Sequence, residues 1–173
     1  FGAIDDTEGG STSRTNALVN YDKIISENAS IKNKIYYSKY NCELFSNFTF
    51  FLDDPVNGDQ IKQKETRNIF GFNSDYHQDF TQLDGSFSAG ISLRNDQSFN
   101  NELSHTVNRK ETLNQTQFGD VNETNLGAYA SANFNLGKFT INPAVRIDYF
   151  KFKYNNALQT NYTTQSHTES VVS

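Results

Sequence analysis

The chain has 173 residues, 35% of them hydrophobic and 14% aromatic, with a formal net charge of −5. That acidic balance, without any basic stripe, excludes a nucleic-acid binder, and no window approaches the roughly 18 consecutive apolar residues of a membrane helix. With 15 Phe and 9 Tyr, the chain has the composition of antiparallel β-structure, where aromatic residues are favoured.

Residues 1–13 are polar and loop-like. Alternation, which sends successive side chains to opposite faces of a strand, predicts a first strand over 14–25 with Ala17, Val19, Tyr21 and Ile25 on one face. A short turn at 27–30 leads to a long second strand over 31–52, where Tyr36, Tyr40, Cys42, Leu44, Phe48, Phe50 and Leu52 share a face. Asp53, Pro55, Asn57 and Gly58 then punctuate a loop. The third strand, 61–82, sets Phe70, Phe72, Tyr76 and Phe80 against Asn73, Asp75 and His77. A turn at 83–86 contains Asp84-Gly85, a pair suited to the positive φ of primed hairpin turns. The fourth strand, 86–94, opposes Phe87, Ala89, Ile91 and Leu93 to Ser88, Gly90 and Ser92. Residues 95–122 are polar and read as a long loop. A closing hairpin follows, from 124 through a tight turn at Leu136-Gly137-Lys138 to 154, and then a polar tail from 155.

The last strand is the most informative. Phe139, Ile141, Pro143, Val145, Ile147 and Tyr149 lie on one face; Thr140, Asn142, Ala144, Arg146 and Asp148 lie on the other. A run of roughly ten residues with one apolar and one polar face is the pattern of a transmembrane barrel strand. It makes Phe139, Ile141, Val145, Ile147 and Tyr149 lipid-facing, and Arg146, Asp148 and, likewise, Arg94 candidates for a lumen wall. Connections alternate between short (27–30, 83–86, 136–138) and long (the start, 53–64, 95–122, after 155), as periplasmic turns and extracellular loops do. The fold class expected is therefore all-β: antiparallel transmembrane barrel strands, about six of them, in one domain over 1–173. Six fall short of the roughly eight that close the smallest barrel. The absence of Met and of a signal-peptide pattern, and an opening inside a patterned region, read as part of a longer protein. Pro143 cannot donate to a ladder and sits near the short turn. Tyr149, Phe150, Phe152 and Tyr154 are candidates for an interfacial aromatic girdle or for packing on a strand extending above the bilayer.

Other chemistry finds little support. Asp53 to Gly58 has an outline of a calcium loop, but Pro55 takes the third ligand position and Lys64 stands where the bidentate Glu belongs. Asp5, Asp6 and Glu8 form an acidic cluster best read as a solvated loop. His77, His105 and His167 lack metal-ligand spacing, Cys42 is a lone apolar filler, and no nucleophile elbow or phosphate loop occurs. No catalytic, cofactor or metal site is expected. Asn-x-Ser/Thr matches at Asn47, Asn114 and Asn161 arise by chance in an Asn-rich chain.

The closing hairpin, Leu126-Gly127-Ala128-Tyr129-Ala130-Ser131-Ala132-Asn133-Phe134 and Leu136-Gly137-Lys138-Phe139-Thr140-Ile141-Asn142-Pro143-Ala144-Val145-Arg146-Ile147-Asp148-Tyr149-Phe150, resembles the barrel of TonB-dependent outer-membrane receptors. Glu8-Gly9-Gly10 with Thr12 and Arg14 is similar to a loop-to-strand entry in some members. The resemblance implies a barrel of roughly 22 strands, a plug domain, a bacterial outer-membrane location and uptake of a scarce small-molecule or glycan ligand, a siderophore or another nutrient, driven through a TonB-type coupling partner. The loops at 53–64 and 95–122 are where ligand contacts are expected, since loops on a rigid scaffold carry recognition. The chain departs from the family in lacking the plug and the energy-coupling box. The alternative is a secreted β-sandwich that binds carbohydrate or mediates adhesion.

Overall fold

The computed structural model describes residues 5–82, 84–159, 161 and 164–173. They form one antiparallel sheet of eight strands: β1 (Gly9–Ser26), β2 (Ala29–Ser46), β3 (Ile61–Phe80), β4 (Gly85–Val107), β5 (Glu111–Leu136), β6 (Phe139–Ile141), β7 (Ala144–Asn156) and β8 (Gln165–Val172). The order is β1-β2-β3-β4-β5-β7-β8, with β6 paired to β5. Each strand pairs with its sequence neighbour except β6 and β7, which both pair with β5 and continue one another along it, so the sheet is a meander. It is not closed, and no second layer packs on it, which leaves the sandwich reading without support.

Several elements differ from the sequence reading, beginning with β1, which already includes residues 9–13 of the expected opening loop. Residues 95–122 are not a loop: β4 and β5 run through them and meet at Asn108 and Arg109, both with positive φ (51° and 60°), as a tight primed turn requires. Lys110 N–H closes that turn on the Val107 carbonyl at 3.0 Å. The polar tail holds β8, paired to β7. And β2 stops at Ser46 rather than 52, so Phe48, Phe50 and Leu52 belong to the loop 47–60, not to a strand face. The turn expected at 83–86 falls at 81–84, with Gly85 already paired to Phe80; Leu83 is outside the described residues, as are residues 1–4 of the expected opening loop. The closing strand divides at Asn142-Pro143, because Pro143 has no N–H. Pairing survives the break: the Pro143 carbonyl accepts from Ala132 N–H at 2.9 Å.

Register sorts the side chains onto two faces. One row across the sheet runs Val19–Ile35–Phe72–Leu93–Leu126–Tyr149, and the next Tyr21–Asn33–Ser74–Ile91–Ala128–Ile147–Val172. This apolar face is uncovered: Val19 is 62% exposed, Ile91 56% and Ile147 53%. Among the described residues the buried apolar side chains are only Ala29 and Phe45. On β2 the apolar face belongs to Ile31, Ile35 and Tyr37; Tyr36, Tyr40, Cys42 and Leu44, grouped as apolar in the sequence, point to the opposite face.

Candidate functional site

The second face is polar and is built by the same period-two register. Its rows read Asp22–Lys32–Asp75–Gly90–Tyr129–Arg146 and, adjacent, Asn20–Lys34–Asn73–Ser92–Gly127–Asp148. Arg94 and Arg146 both lie here, as does Asp148. Each arginine is held by a carboxylate two residues along its own strand: Arg94 Nη2 to Asp96 Oδ2 at 2.8 Å, and Arg146 Nε to Asp148 Oδ2 at 2.6 Å. These are the lumen candidates of the sequence reading, and the register places all three on one face. Phe139, Ile141, Val145, Ile147 and Tyr149 share the apolar one, since Ile141 pairs with Phe134 and Val145 with Ala130.

Glycines let long side chains lie flat against this wall. Tyr129 crosses Gly90 to donate its hydroxyl to Asp75 Oδ1 at 2.8 Å, two strands away. A Cβ at Gly90 would sit 2.6 Å from that carboxylate oxygen and collide with the Tyr129 ring. Tyr36 covers Gly71 in the same manner.

Toward the end of the sheet that carries the loop 47–60, the polar face opens into two joined depressions of about 270 and 340 Å³. They share Glu65, Asn101 and Val121. Bulges shape them, as bulges re-aim side chains near sites: β4 slips register between Ser98 and Asn101, and β3 between Lys64 and Thr66. Asn100 takes the left-handed φ of 50°, with its N–H donated to Asp120 Oδ1 at 2.8 Å. In the floor, Arg67 Nε meets Glu65 Oε1 at 2.6 Å, and Ser98, 6% exposed, donates to Asn101 Oδ1 at 2.6 Å. Asp96 Oδ1 is buried without a partner among the described residues. Phe152 and Tyr154 flank this trough, paired with Glu123 and Val121, and Phe150 stacks parallel to Phe152 at 6.2 Å. The four aromatics proposed as one cluster therefore split: Tyr149 is on the apolar face, the other three on the polar one. The trough was missed in the sequence because it depends on cross-strand rows and bulges.

Beyond the trough, three connections are welded into a rim. Gln60, 3% exposed, accepts from Arg109 N–H at 2.9 Å and from the Thr106 hydroxyl at 3.2 Å, and donates to Thr7. The Arg109 guanidinium donates to the Thr7 and Glu8 carbonyls and lies over the Phe45 ring. Asn47 donates its N–H to Glu8 at 2.7 Å and its amide to Asp5 at 3.0 Å. The acidic cluster thus pins backbone and amide groups. Hydrogen bonds from the Thr7 hydroxyl, Asn47 and Thr7 N–H hold the Asp5 carboxyl below its ordinary value.

The segment from Asp53 to Gly58, read from the sequence as a turn and not a calcium loop, is a carboxylate-capped loop. Asp59 accepts the N–H groups of Leu52, Asp53 and Asp54 at 2.7–3.2 Å. Asp54 accepts those of Val56 and Asn57 at 3.0 and 2.9 Å. The Asp53 N–H above all for Asp59, and the Asn57 N–H for Asp54, hold both carboxyls below their ordinary value. His105 clamps the loop from β4, its Nε2 lying 2.6 Å from the Gly58 carbonyl. On β4, burial pushes the Glu102 carboxyl up, but hydrogen bonds from Ser104 and Lys62 outweigh it and leave the carboxyl lowered.

The sequence matches the family described as TonB dependent receptor-like, beta-barrel, over residues 2–173. No curated protein matches it. Among solved structures it is similar to the ferric citrate transporter FecA in the unliganded form, with a TM-score of 0.74 and 14% identity over 93% of this chain and 24% of that one. The chain thus spans about a quarter of that transporter's length, and at this identity the likeness concerns the fold alone. Members of the matched family are bacterial outer-membrane receptors and transporters rather than enzymes. With the family model covering nearly every residue and the unclosed two-faced meander agreeing with it, the chain belongs to the TonB-dependent receptor β-barrel family.

Proposed function

We propose that this chain is one stretch of wall, within a single barrel domain, of an outer-membrane receptor that imports a scarce ligand. Phe139, Ile141, Val145, Ile147 and Tyr149 face lipid in this reading, and Arg94, Arg146 and Asp148 face the lumen. The observation that carries it is the uncovered apolar face. Exposed apolar side chains arrayed in rows across β1 to β7 find no cover within the chain, whereas a bilayer core covers such a band at no cost. The open edges of β1 and β8 pair with the rest of the barrel, because unpaired backbone groups in lipid cost several kcal/mol each. The two-residue turns at 27–28 and 137–138 are the periplasmic ends. The loop 47–60 and the turn at Asn108 are extracellular. A plug fills the lumen, and a TonB-type partner supplies energy for uptake of a siderophore, a glycan or another nutrient.

The test is fractionation of native cells with an antibody to the loop 47–60. The expected result is a band several times the 19.6 kDa of this chain in the outer-membrane fraction, and ligand uptake that stops when the proton-motive force is collapsed. A soluble band near 19.6 kDa would overturn the reading.

A further inference from the structure

Resting on that uptake reading, we infer that the trough between β2 and β7 binds an uncharged, hydroxyl-rich ligand, a neutral sugar chain, and rejects anionic metal chelates. The charges decide it. Of the four carboxylates lining the two depressions, Glu65, Asp96, Glu102 and Glu123, three are neutralised in place, Glu65 by Arg67, Asp96 by Arg94 and Glu102 by Lys62 at 3.1 Å, which leaves Glu123 against Lys64. Arg67 is spent on Glu65. Arg94, the next guanidinium along the wall, is spent on Asp96 by two hydrogen bonds, at 3.1 and 2.8 Å. Arg14, at the far side, lies over the Tyr40 ring at 5.3 Å. Among the described residues no pair of free guanidinium forks is left to grip a carboxylate-rich chelate, and Glu123 would repel one.

The remaining groups match hydroxyls. Carboxylate oxygens accept from them, and Glu123 presents such oxygens in the trough lining. Asn101 and Gln117 donate and accept, as a hydroxyl does. Val121 (40% exposed) and Tyr154 (40% exposed) offer apolar surface for the C–H faces of sugar rings. The combination of an apolar wall with a few fixed polar groups is that of a small-molecule site. The joined depressions, about 270 and 340 Å³, continue one into the other along the wall, which suits a chain of rings more than one compact ligand.

The experiment uses the full receptor carrying this segment, purified in detergent. Isothermal titration is run with neutral α-glucan, β-glucan, fructan and mannan oligosaccharides, and separately with ferric citrate as the anionic probe. One class of neutral oligosaccharide is expected to bind and ferric citrate to give no heat. Val121→Trp, which fills the trough from an exposed position, is expected to weaken sugar binding about tenfold or more. Glu123→Gln, which keeps the shape, is expected to weaken it by a smaller factor. Heat-modifiable electrophoretic mobility reports whether each variant is still a folded barrel. Three results would overturn the inference: no oligosaccharide binds, ferric citrate binds and Val121→Trp abolishes it, or sugar binding ignores both variants. Cell fractionation reads the receptor assignment independently, so a failure of the sugar inference leaves the uptake reading standing and is distinguishable from its failure.

Discussion

At the scale of single residues, Gly90 shows how the polar wall is made thin. Its missing side chain is the space through which Tyr129 reaches Asp75. Gly90→Ala forces either the ring or the carboxylate aside, and overpacking of this kind costs about 1–3 kcal/mol. A lower urea midpoint for the receptor refolded in detergent is the expected readout, with Tyr129→Ala in the same background recovering part of the loss. Asp59 is the second such residue. It gathers three backbone N–H groups of the loop 47–60, so Asp59→Asn should expose that loop to protease nicking with the barrel intact. Because hydrogen bonds in the folded loop hold its carboxyl below the ordinary value, the carboxylate favours the ordered loop only while ionised. Its contribution is complete above the ordinary value of 3.8 and disappears as pH falls through the lower folded value. Loop order is therefore expected at pH 5 and loss of order only in stronger acid, as followed by proteolysis with pepsin.

Among elements, what was legible in the sequence was the part of each strand with two unlike faces. β4 from 86 to 94 and the strand from 139 to 149 alternate visibly because one side meets apolar surroundings and the other polar. From 95 to 122 the end of β4 and the start of β5 carry polar residues on both faces, so period two vanishes and the segment reads as a loop. β8 was missed for the same reason. In β2 the run Tyr36, Tyr40, Cys42, Leu44 imitated an apolar face, since an aromatic such as Tyr36 packs on Gly71 within a polar wall. Of the site, Arg94, Arg146 and Asp148 were readable from parity on their own strands. The trough was not, because Glu65, Asp96 and Val121 become neighbours only through pairing. The rim gives the prediction for this scale. Arg109 ties the turn before β5 to the start of β1, and Arg109→Ala should free residues 5–8 and raise hydrogen exchange at Thr7, Glu8 and Asn47, leaving exchange along β3 unchanged.

For the whole molecule the two faces must answer differently to the same charge. Ile147→Arg, on the apolar face, is expected to destabilise the barrel in bilayers by about 2–4 kcal/mol. Ser131→Arg, on the polar face one register row from Arg146, should change stability by under about 1 kcal/mol. Equal losses in chemical denaturation would contradict the assignment of the faces. Strand length makes a second point at this scale. β5 has 26 residues, about 85 Å at the rise of an extended strand, whereas roughly ten residues cross a bilayer. In the proposed receptor most of β4 and β5 therefore stands outside the membrane, and the trough with it.

The scarcity of buried apolar side chains, Ala29 and Phe45 alone among the described residues, has a consequence for timing. A sheet without an interior gains almost nothing from excluding water, so in the proposed receptor its free energy in the aqueous periplasm does not favour the native state. Stability arrives only when lipid and the flanking strands arrive. On that reading this segment travels to the membrane unfolded, with its Phe- and Ile-rich stretches exposed until insertion. Folding and delivery to the membrane are, for this stretch, a single event.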